Sequence, residues 1–435
     1  MRSLLTTLLR RLSPSTPAIR VAAAPPPSVE PPRPADLLGR PPINLDTPEL
    51  QRFLAGKRVM VTGAGGSIGS EICRQAMRFL PQRVLLVERA EGALFEIDRE
   101  LRENWLGADV KPCLADVTDA RRIDRLFRQE RPHVVFHCAA HKHVPMMEAN
   151  PCEAVKNNVF GTKVVADAAA AHAAQAFVLV STDKAVNPTS VMGATKRVAE
   201  LYVQAMSKRG GAAAWQGDSV ADSQDAHHPT TPPSHSATRF TAVRFGNVLG
   251  SSGSVVPIFQ RQIAAGGPVT VTHPEMRRFF MTIPEASQLV MQAGAIGHGG
   301  EVFVLDMGSP VRILDLAREL IRRHGLEPDR DIQVRFTGVR PGEKLYEELA
   351  RDDERTAATS HEKIRVWQLP PADPAEVTRG LELLSAAAAS DSADQAVGAL
   401  AACVPEYTPT GRAIPRPVAA QQPVLRLVMP EADAA

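Results

Sequence analysis

Three stretches of this 435-residue chain carry side chains whose types and spacing can do chemistry. Ser181-Thr-Asp-Lys184 follows an apolar run and sets an acid beside an amine. At the carboxyl end of a strand, Asp183 can accept a hydroxyl proton directly or through water. Lys184, desolvated and next to another cation, can fall toward a neutral pKa and remove a carbon-bound proton. On a surface turn the same two residues would be only an ion pair. Met192-Gly-Ala-Thr-Lys196 opens the next helix and adds a second lysine. In Val59-Met-Val-Thr-Gly-Ala-Gly-Gly-Ser-Ile-Gly-Ser70, Gly63, Gly66 and Gly69 lie three apart after an apolar run. That spacing allows a tight turn, close backbone approach to a pyrophosphate, and a helix packed against its strand. The helix begins near Ser67 and Ile68, and its first N–H groups and dipole favour the phosphates.

The surroundings of the glycine turn specify the cofactor. Arg83-Val-Leu-Leu-Val-Glu88 reads as the second strand of a βαβ unit, and Glu88 lies 19 residues after Gly69, where a ribose-binding carboxylate belongs. Glu88 would accept bonds from both adenosine ribose hydroxyls and repel a 2′-phosphate, favouring NAD over NADP. Arg89 opposes that choice, since an arginine there can pair with a 2′-phosphate or simply face solvent. A third strand from Val110 to Ala115 delivers Asp116 and Val117 to the adenine side.

These groups must be held by a scaffold, and the pattern supplies one. Short β-branched runs at 57–62, 83–88, 110–115, 133–139, 176–181 and 240–245 alternate with longer helical stretches. The alternation predicts an α/β fold, a Rossmann-like doubly wound parallel sheet with a smaller C-terminal substrate-binding subdomain and ligands at the carboxyl ends of the strands. Residues 1–45 are rich in proline and alanine and read as disordered; the catalytic domain spans 46–350. Within it the NAD-binding core covers about 57–245, a disordered insertion 209–238, and the substrate-binding part about 246–350. Residues 351–409 form a C-terminal extension with a strand near Ile364 to Gln368 and a helix from about Pro374, and 410–435 a disordered tail.

Composition excludes other classes. Fifty basic residues stand against 48 acidic ones with no basic run interleaved with aromatics, so no nucleic-acid partner is expected. Five cysteines without a C-x-x-C pair read as reduced thiols in a cytoplasmic protein. The opening Met-Arg-Ser-Leu-Leu-Thr-Thr-Leu-Leu-Arg-Arg is too short to span a bilayer; at most it touches a membrane surface weakly. No metal is expected. His137, His141 and His143 lack acidic or thiolate ligands at suitable spacing, and His227, His228 and His235 lie in the insertion with nothing to fix their geometry.

The segment Ser181 to Arg197 resembles the polysaccharide-biosynthesis (CapD-like) family of UDP-N-acetylglucosamine 4,6-dehydratases, within the extended short-chain dehydrogenase/reductases. The likeness continues through His137-Cys-Ala-Ala-His-Lys-His-Val-Pro-Met-Met-Glu148, Arg244-Phe-Gly-Asn-Val-Leu-Gly-Ser-Ser-Gly253, Arg278-Phe-Phe-Met-Thr282 and Arg340-Pro-Gly-Glu-Lys344, over about 36 to 409. It resembles the branch in which methionine, here Met192, replaces the usual tyrosine. A thioether cannot act as a base, so Asp183 and Lys184 are the substitutes.

The resemblance implies a redox cycle closed on one cofactor: C4 of the hexose is oxidised, water leaves across C5 and C6, and the hydride returns to C6. Thr182 would position the C4 hydroxyl or a bridging water, Asp183 would serve the oxidation, and Lys184 the elimination. Lys196 would bind nicotinamide ribose and lower neighbouring pKa values. Ala139, Ala140 and Asn158 would shape the cofactor side. Lys142, His143, Met192 and Asn247 would lie near the UDP-sugar, with Arg278, Arg340 and Glu343 toward its diphosphate. Arg278 and Arg340 can each instead be structural ion-pair partners. Members commonly form homo-oligomers and many carry N-terminal transmembrane helices, whereas this chain looks like the catalytic portion alone. A nucleotide-sugar 4-epimerase, or a catalytically silent NAD-binding sensor, is the alternative reading.

Overall fold

The computed structural model describes residues 47–209, 237–349, 355–368 and 372–411. The expected 1–45 segment, all but the ends of the 209–238 insertion with its three histidines, and nearly all of the 410–435 tail lie outside the described residues.

Nine strands form the central sheet: β1 (Arg58–Thr62), β2 (Arg83–Glu88), β3 (Val110–Leu114), β4 (Val134–His137), β5 (Ala176–Val180), β6 (Arg239–Arg244), β7 (Val302–Leu305), β8 (Arg355–Ala358) and β9 (Ile364–Gln368). Their order is β8-β9-β7-β6-β5-β4-β1-β2-β3. The seven strands from β7 to β3 run parallel, and β9 and β8 add an antiparallel edge. The parallel strands inside the sheet are buried on both faces, which is why they read as largely apolar runs rather than alternating ones, whereas the edge strand β3 exposes Lys111, Pro112 and Leu114. Two apolar clusters cover the two faces, one containing Met60, Phe177 and Leu179, the other Val59, Val61 and Val178. Pro112, which can donate no ladder bond, sits in β3 at the sheet's edge.

Chain order reverses between β1 and β4, and the crevice above that point is where such sheets bind ligands. Helices α1 (Pro48–Leu54), α2 (Ser67–Met77), α3 (Glu91–Asn104), α4 (Ala120–Glu130), α5 (Gly161–Ala171) and α6 (Val191–Arg209) precede or connect these strands. A π-helical turn, Val155–Phe160, leads into α5. Next come α7 (Ile283–Ile296) and the C-terminal α8 (Pro374–Ala389) and α9 (Ala393–Cys403). Thr282 caps α7 by accepting from Glu285 N, and Pro284 fits its first turn. Three short two-stranded sheets and a third apolar cluster around Phe259, Val271, Leu316 and Ile321 organise the part after β6.

The six expected strands are present within a few residues. Strand β7 was not expected, and β8 pairs with β9, so part of the 351–409 extension belongs to the central sheet. No described helix is long and apolar enough to cross a membrane.

Candidate active site

The glycine turn has the geometry its spacing predicts. Gly63 sits at φ 66°, and a Cβ there would lie 2.8 Å from Ala139 Cα and N. A Cβ on Gly69 would lie 2.1 Å from the Gly63 carbonyl oxygen, so only glycine lets α2 start this close to β1. Gly66 is the N-cap of α2, and no side chain caps it, leaving the first-turn N–H groups for an anion. Ser67 Oγ accepts from Ser252 N at 3.2 Å, tying the turn to the loop after β6, and Ile68 packs on the core. This cradle fits a dinucleotide pyrophosphate.

At the end of β2, Glu88 accepts from Gly65 N at 3.2 Å and from Arg89 N and Ala90 N, both at 3.0 Å. Arg89 reaches Asp116 at 3.7 Å and His141 at 3.3 Å. Val117 is buried and packs under Gly161, where a Cβ would come within 2.8 Å of it. Asn158 is fully buried. Its Oδ1 accepts from His141 N at 2.8 Å, while its Nδ2 donates to His141 O at 3.0 Å and to Thr195 Oγ1 at 3.1 Å. Asn158 therefore braces the loop carrying Ala139 and Ala140, with its polar atoms already engaged.

The acid–amine pair lies just beyond the end of β5, the acid buried and the amine partly so. Thr182 caps a short 3-10 turn, Asp183–Ala185, and its hydroxyl donates to Asp183 Oδ1 at 2.9 Å. Lys184 Nζ donates to the same oxygen at 3.0 Å and to Asn247 Oδ1 at 3.1 Å. Asp183 is fully buried, and its Oδ2 has no hydrogen-bond partner. Two glycines make room for the turn. A Cβ on Gly193 would lie 2.2 Å from Lys184 O, and one on Gly246 3.1 Å from Asp183 Oδ2.

The expectation that Lys184 loses its proton readily is corrected. Burial pushes its pKa down, but the Asp183 and Glu347 carboxylates outweigh burial and hold it above the usual lysine range. The cation that falls is Lys196, 4 % exposed, which burial lowers to about 8 against a weaker pull from Glu200. His137 is a core group. It hydrogen-bonds Thr62 Oγ1 at 2.8 Å and Thr162 Oγ1 at 3.0 Å, and burial, with Lys196 behind it, lowers it to about 3. Among the described residues, no group of three or more histidine, cysteine or carboxylate side chains is placed to hold a metal ion.

The substrate-side expectations divide. Met192, at the tyrosine position, is 3 % exposed and belongs to the apolar core. Lys142 and His143 are exposed, and the His143 ring stands against Gly253, where a Cβ would lie 2.6 Å from Cε1. Arg340 is exposed and pairs with Glu343 at 3.2 Å. For Arg278 the structure favours the second of its two readings, a structural partner. It is buried, and its guanidinium donates to the carbonyls of Arg277, Lys344 and Leu345 and reaches Glu343, so it shapes the 340–347 loop instead of offering a free fork to a diphosphate.

Sequence reasoning missed Glu347. Buried beside Arg278 and Lys184, it stands 3.8 Å from Lys184 Nζ, and burial raises its pKa. Only its place three residues after Lys344, just past a motif already singled out, pointed to it. Gly193 and Gly246 were also missed, because a steric allowance emerges only once the chain folds: Gly246 meets Phe279 and Asp183, and Gly193 meets the Lys184 carbonyl across the intervening turn.

Comparison with known proteins identifies the family. A protein-family model described as "Polysaccharide biosynthesis protein" matches residues 59–369. The capsular polysaccharide biosynthesis protein CapD of Staphylococcus aureus is 51% identical over 330 residues, covering 76% of this chain and 51% of that protein. The chain thus spans about half the length of that relative. An inverting UDP-N-acetylglucosamine 4,6-dehydratase of Campylobacter jejuni is 31% identical over 69% of this chain and 79% of its own. A UDP-glucose 4-epimerase of Rickettsia bellii is also 31% identical, over 69% and 80%. The solved structure of Pen from Bacillus thuringiensis superposes with a TM-score of 0.63 at 33% identity, covering 74% of this chain and 90% of that one. The sheet order, the glycine cradle and these likenesses agree, and the chain belongs to the polysaccharide biosynthesis protein family within the short-chain dehydrogenase/reductase fold.

Proposed function

We propose that the chain is an NAD-dependent nucleotide-sugar 4,6-dehydratase that converts UDP-N-acetylglucosamine to a UDP-4-keto-6-deoxy-N-acetylhexosamine for polysaccharide or glycan synthesis. The observation that carries this reading is the buried Asp183 carboxylate bonded to the partly buried Lys184 ammonium, in a chain that has Met192 at the place of the phenol. With no tyrosine to act as base, the acid and amine are the groups left to move protons. Glu88 supports NAD, since its carboxylate at the end of β2 is bonded to the glycine turn, where it would meet the ribose hydroxyls, and Arg89 is drawn off to Asp116.

Bound NAD supplies a hydride acceptor for C4 and, later in the same cycle, a hydride donor for C6. Lys196 would hold the nicotinamide ribose and Glu88 the adenosine ribose, with the phosphates on the first turn of α2. Thr182 orients the C4 hydroxyl and Asp183 takes its proton. Lys184 removes the proton from C5, made acidic by the adjacent ketone, while the C6 hydroxyl leaves as water with the proton from Asp183. Lys184 then returns its proton to C5. Arg340 and Glu343 lie on the diphosphate side.

An epimerase is the second reading, favoured by the Rickettsia bellii relative; it shares C4 oxidation and omits proton removal at C5. Incubation with UDP-N-acetylglucosamine in D₂O, followed by NMR, separates the two. A 4-keto-6-deoxy product with deuterium at C5 is expected. A 4-epimer with protium at C5, or unchanged substrate despite tight NAD binding, overturns the dehydratase reading.

A further inference from the structure

Asp183, Lys184 and Glu347 pose a question that the proposed reaction must answer. The amine assigned to remove the C5 proton is held as an ammonium by two carboxylates, at 3.0 Å and 3.8 Å. It must lose a proton before it can take one. We propose that Glu347 is the acceptor of that proton, and that the transfer is triggered when C4 oxidation neutralises Asp183; the inference rests on the dehydratase reading above.

The geometry favours this sequence of events. Lys184 is 19 % exposed at its side chain, Glu347 4 % and Asp183 0 %, so both carboxylates that hold the lysine are better shielded from solvent than the amine itself. Its Oε2 is buried with no hydrogen-bond partner, leaving a free lone pair and a poorly stabilised charge. The charged groups around it are Asp183 and Lys184 from the turn after β5, Arg278 at 3.8 Å, and Lys344 on its own segment. Arg278 gives its hydrogen bonds to backbone carbonyls and Glu343 rather than to Glu347. While Asp183 is charged, the ammonium has a hydrogen-bonded counter-ion. Once Asp183 carries the C4 hydroxyl proton, only the looser Glu347 contact remains. A buried ion pair without supporting hydrogen bonds then favours its neutral form.

The balance is complete. One Nζ–H bond breaks and an O–H bond forms on Glu347; the freed lone pair takes the C5 proton, and the Asp183 proton leaves in water. Lys184 gives its acquired proton back to C5. As Asp183 is again a carboxylate, the Glu347 proton returns to Lys184. The base is therefore armed only after oxidation, so no proton is taken from an unactivated sugar. Glu347 acts through Lys184 and is a positioning residue.

The test is Glu347→Gln in the full chain, with Glu347→Asp as a second variant that keeps an acid. In Glu347→Gln, kcat for dehydration is expected to fall about 100-fold with KM within about threefold, and C5 deuterium exchange to slow equally. Activity should recover as pH rises, because Lys184 must then lose its proton to solvent, whereas the parent stays flat over that range. Glu347→Asp should restore part of the rate. An unchanged kcat, or a loss without the new pH dependence, overturns the proposal. Carbon-13 NMR titration of glutamate-labelled protein, with Glu347→Gln to assign the resonance, reads the carboxyl without any turnover. Titration above the ordinary carboxylate range is expected; titration within it overturns the inference. If the parent itself dehydrates no UDP-N-acetylglucosamine while this carboxyl still titrates high, the substrate reading has failed and the proton acceptor has not.

Discussion

Two buried ionic clusters meet at the carboxyl ends of β5 and β6, and they are built to opposite standards. In one, Glu200 receives Ser181 Oγ at 2.6 Å and Arg244 Nε at 2.7 Å on one oxygen, and Arg244 Nη2 at 2.6 Å and Arg197 Nη1 at 3.3 Å on the other. Arg197 extends the network to Glu406, and the Arg244 guanidinium lies 3.6 Å from the Trp367 ring centroid. Burial would raise Glu200, yet the Arg244 and Arg197 charges hold it below the ordinary carboxylate range. In the other cluster, Asp183 Oδ2 and Glu347 Oε2 are buried without partners. The difference lies in the carboxylates: both Glu200 oxygens are bonded, although Arg244 Nη1 and Trp367 Nε1 beside it are themselves buried without a hydrogen-bond partner, whereas Asp183 and Glu347 each keep a bare oxygen. A carboxylate saturated on both oxygens specifies a structure; an unsaturated one, with a bare oxygen, is poised for a ligand or a proton. The C-terminal residues Trp367 and Glu406 join the Glu200 cluster, giving the 351–409 region a place in supporting the site.

The contrast breaks most directly at Asp183. Asp183→Asn should lower dehydration by about 10²–10⁴-fold, the range a positioned acid or base contributes, and change stability by less than about 1 kcal/mol. With residue 183 neutral, Lys184 can pass its proton to the adjacent Glu347, so no charge is stranded. Steady-state turnover and thermal unfolding on one preparation measure both. A variant that loses stability as heavily as activity would place Asp183 in the structural class.

Glu200→Gln should do the reverse. Two buried guanidinium groups then face an amide, and breaking a buried pair in this way costs about 3–5 kcal/mol. Denaturant unfolding should register that loss, while the folded fraction keeps its affinity for NAD.

Lys196 sharpens the distinction because it lies four residues before Glu200 on α6 yet belongs with the unsaturated groups. Its pKa falls from 10.5 to about 8, so burying the ammonium costs about 3 kcal/mol. Below pH 8 both folded and unfolded chains hold the proton and the cost is in full force. Between about 8 and 10.5 only the unfolded chain holds it, so stability climbs with pH and then levels. Lys196→Met should gain up to about 3 kcal/mol near neutral pH, lose the climb, and lose activity. Unfolding curves across that pH range check the sign.

How much of this was legible follows from what each residue depends on. The glycine turn and the placing of Glu88 and the 181–184 run at strand ends were readable because such features are local: a φ of 66° or a strand end is written within a few residues. The parallel strands inside the sheet were readable because burial on both faces leaves apolar runs. Glu347 and Gly246 were not, since each matters through a segment about 60 to 160 residues away, and Gly193 was not, since its clearance from the Lys184 carbonyl is set by how the intervening turn folds. Arg278 misled for the same reason. An arginine in a charged motif suggests a phosphate ligand, and only folding reveals that backbone carbonyls consume its donors. Lys184 misled because burial and ion pairing act oppositely on a lysine, and the sequence contains no distance to decide between them.

A third cluster is exposed and gives the smallest effect. Arg89 and Asp116 stand 3.7 Å apart at 46% and 39% side-chain exposure, with His141 beside the arginine. Water screens such a pair to about 0–1 kcal/mol, so Arg89→Ala should leave stability nearly unchanged and alter the NAD Kd by less than about fivefold. The informative measurement is NADP binding. A 2′-phosphate at the end of β2 would meet the Glu88 carboxylate, and Arg89 would have to leave Asp116 to neutralise it. The parent should therefore prefer NAD, and Arg89→Ala should keep that preference or widen it. If the parent prefers NADP and the variant reverses the order, Arg89 is the ribose-phosphate ligand, and the exposed cluster joins the functional class despite its weak pairing.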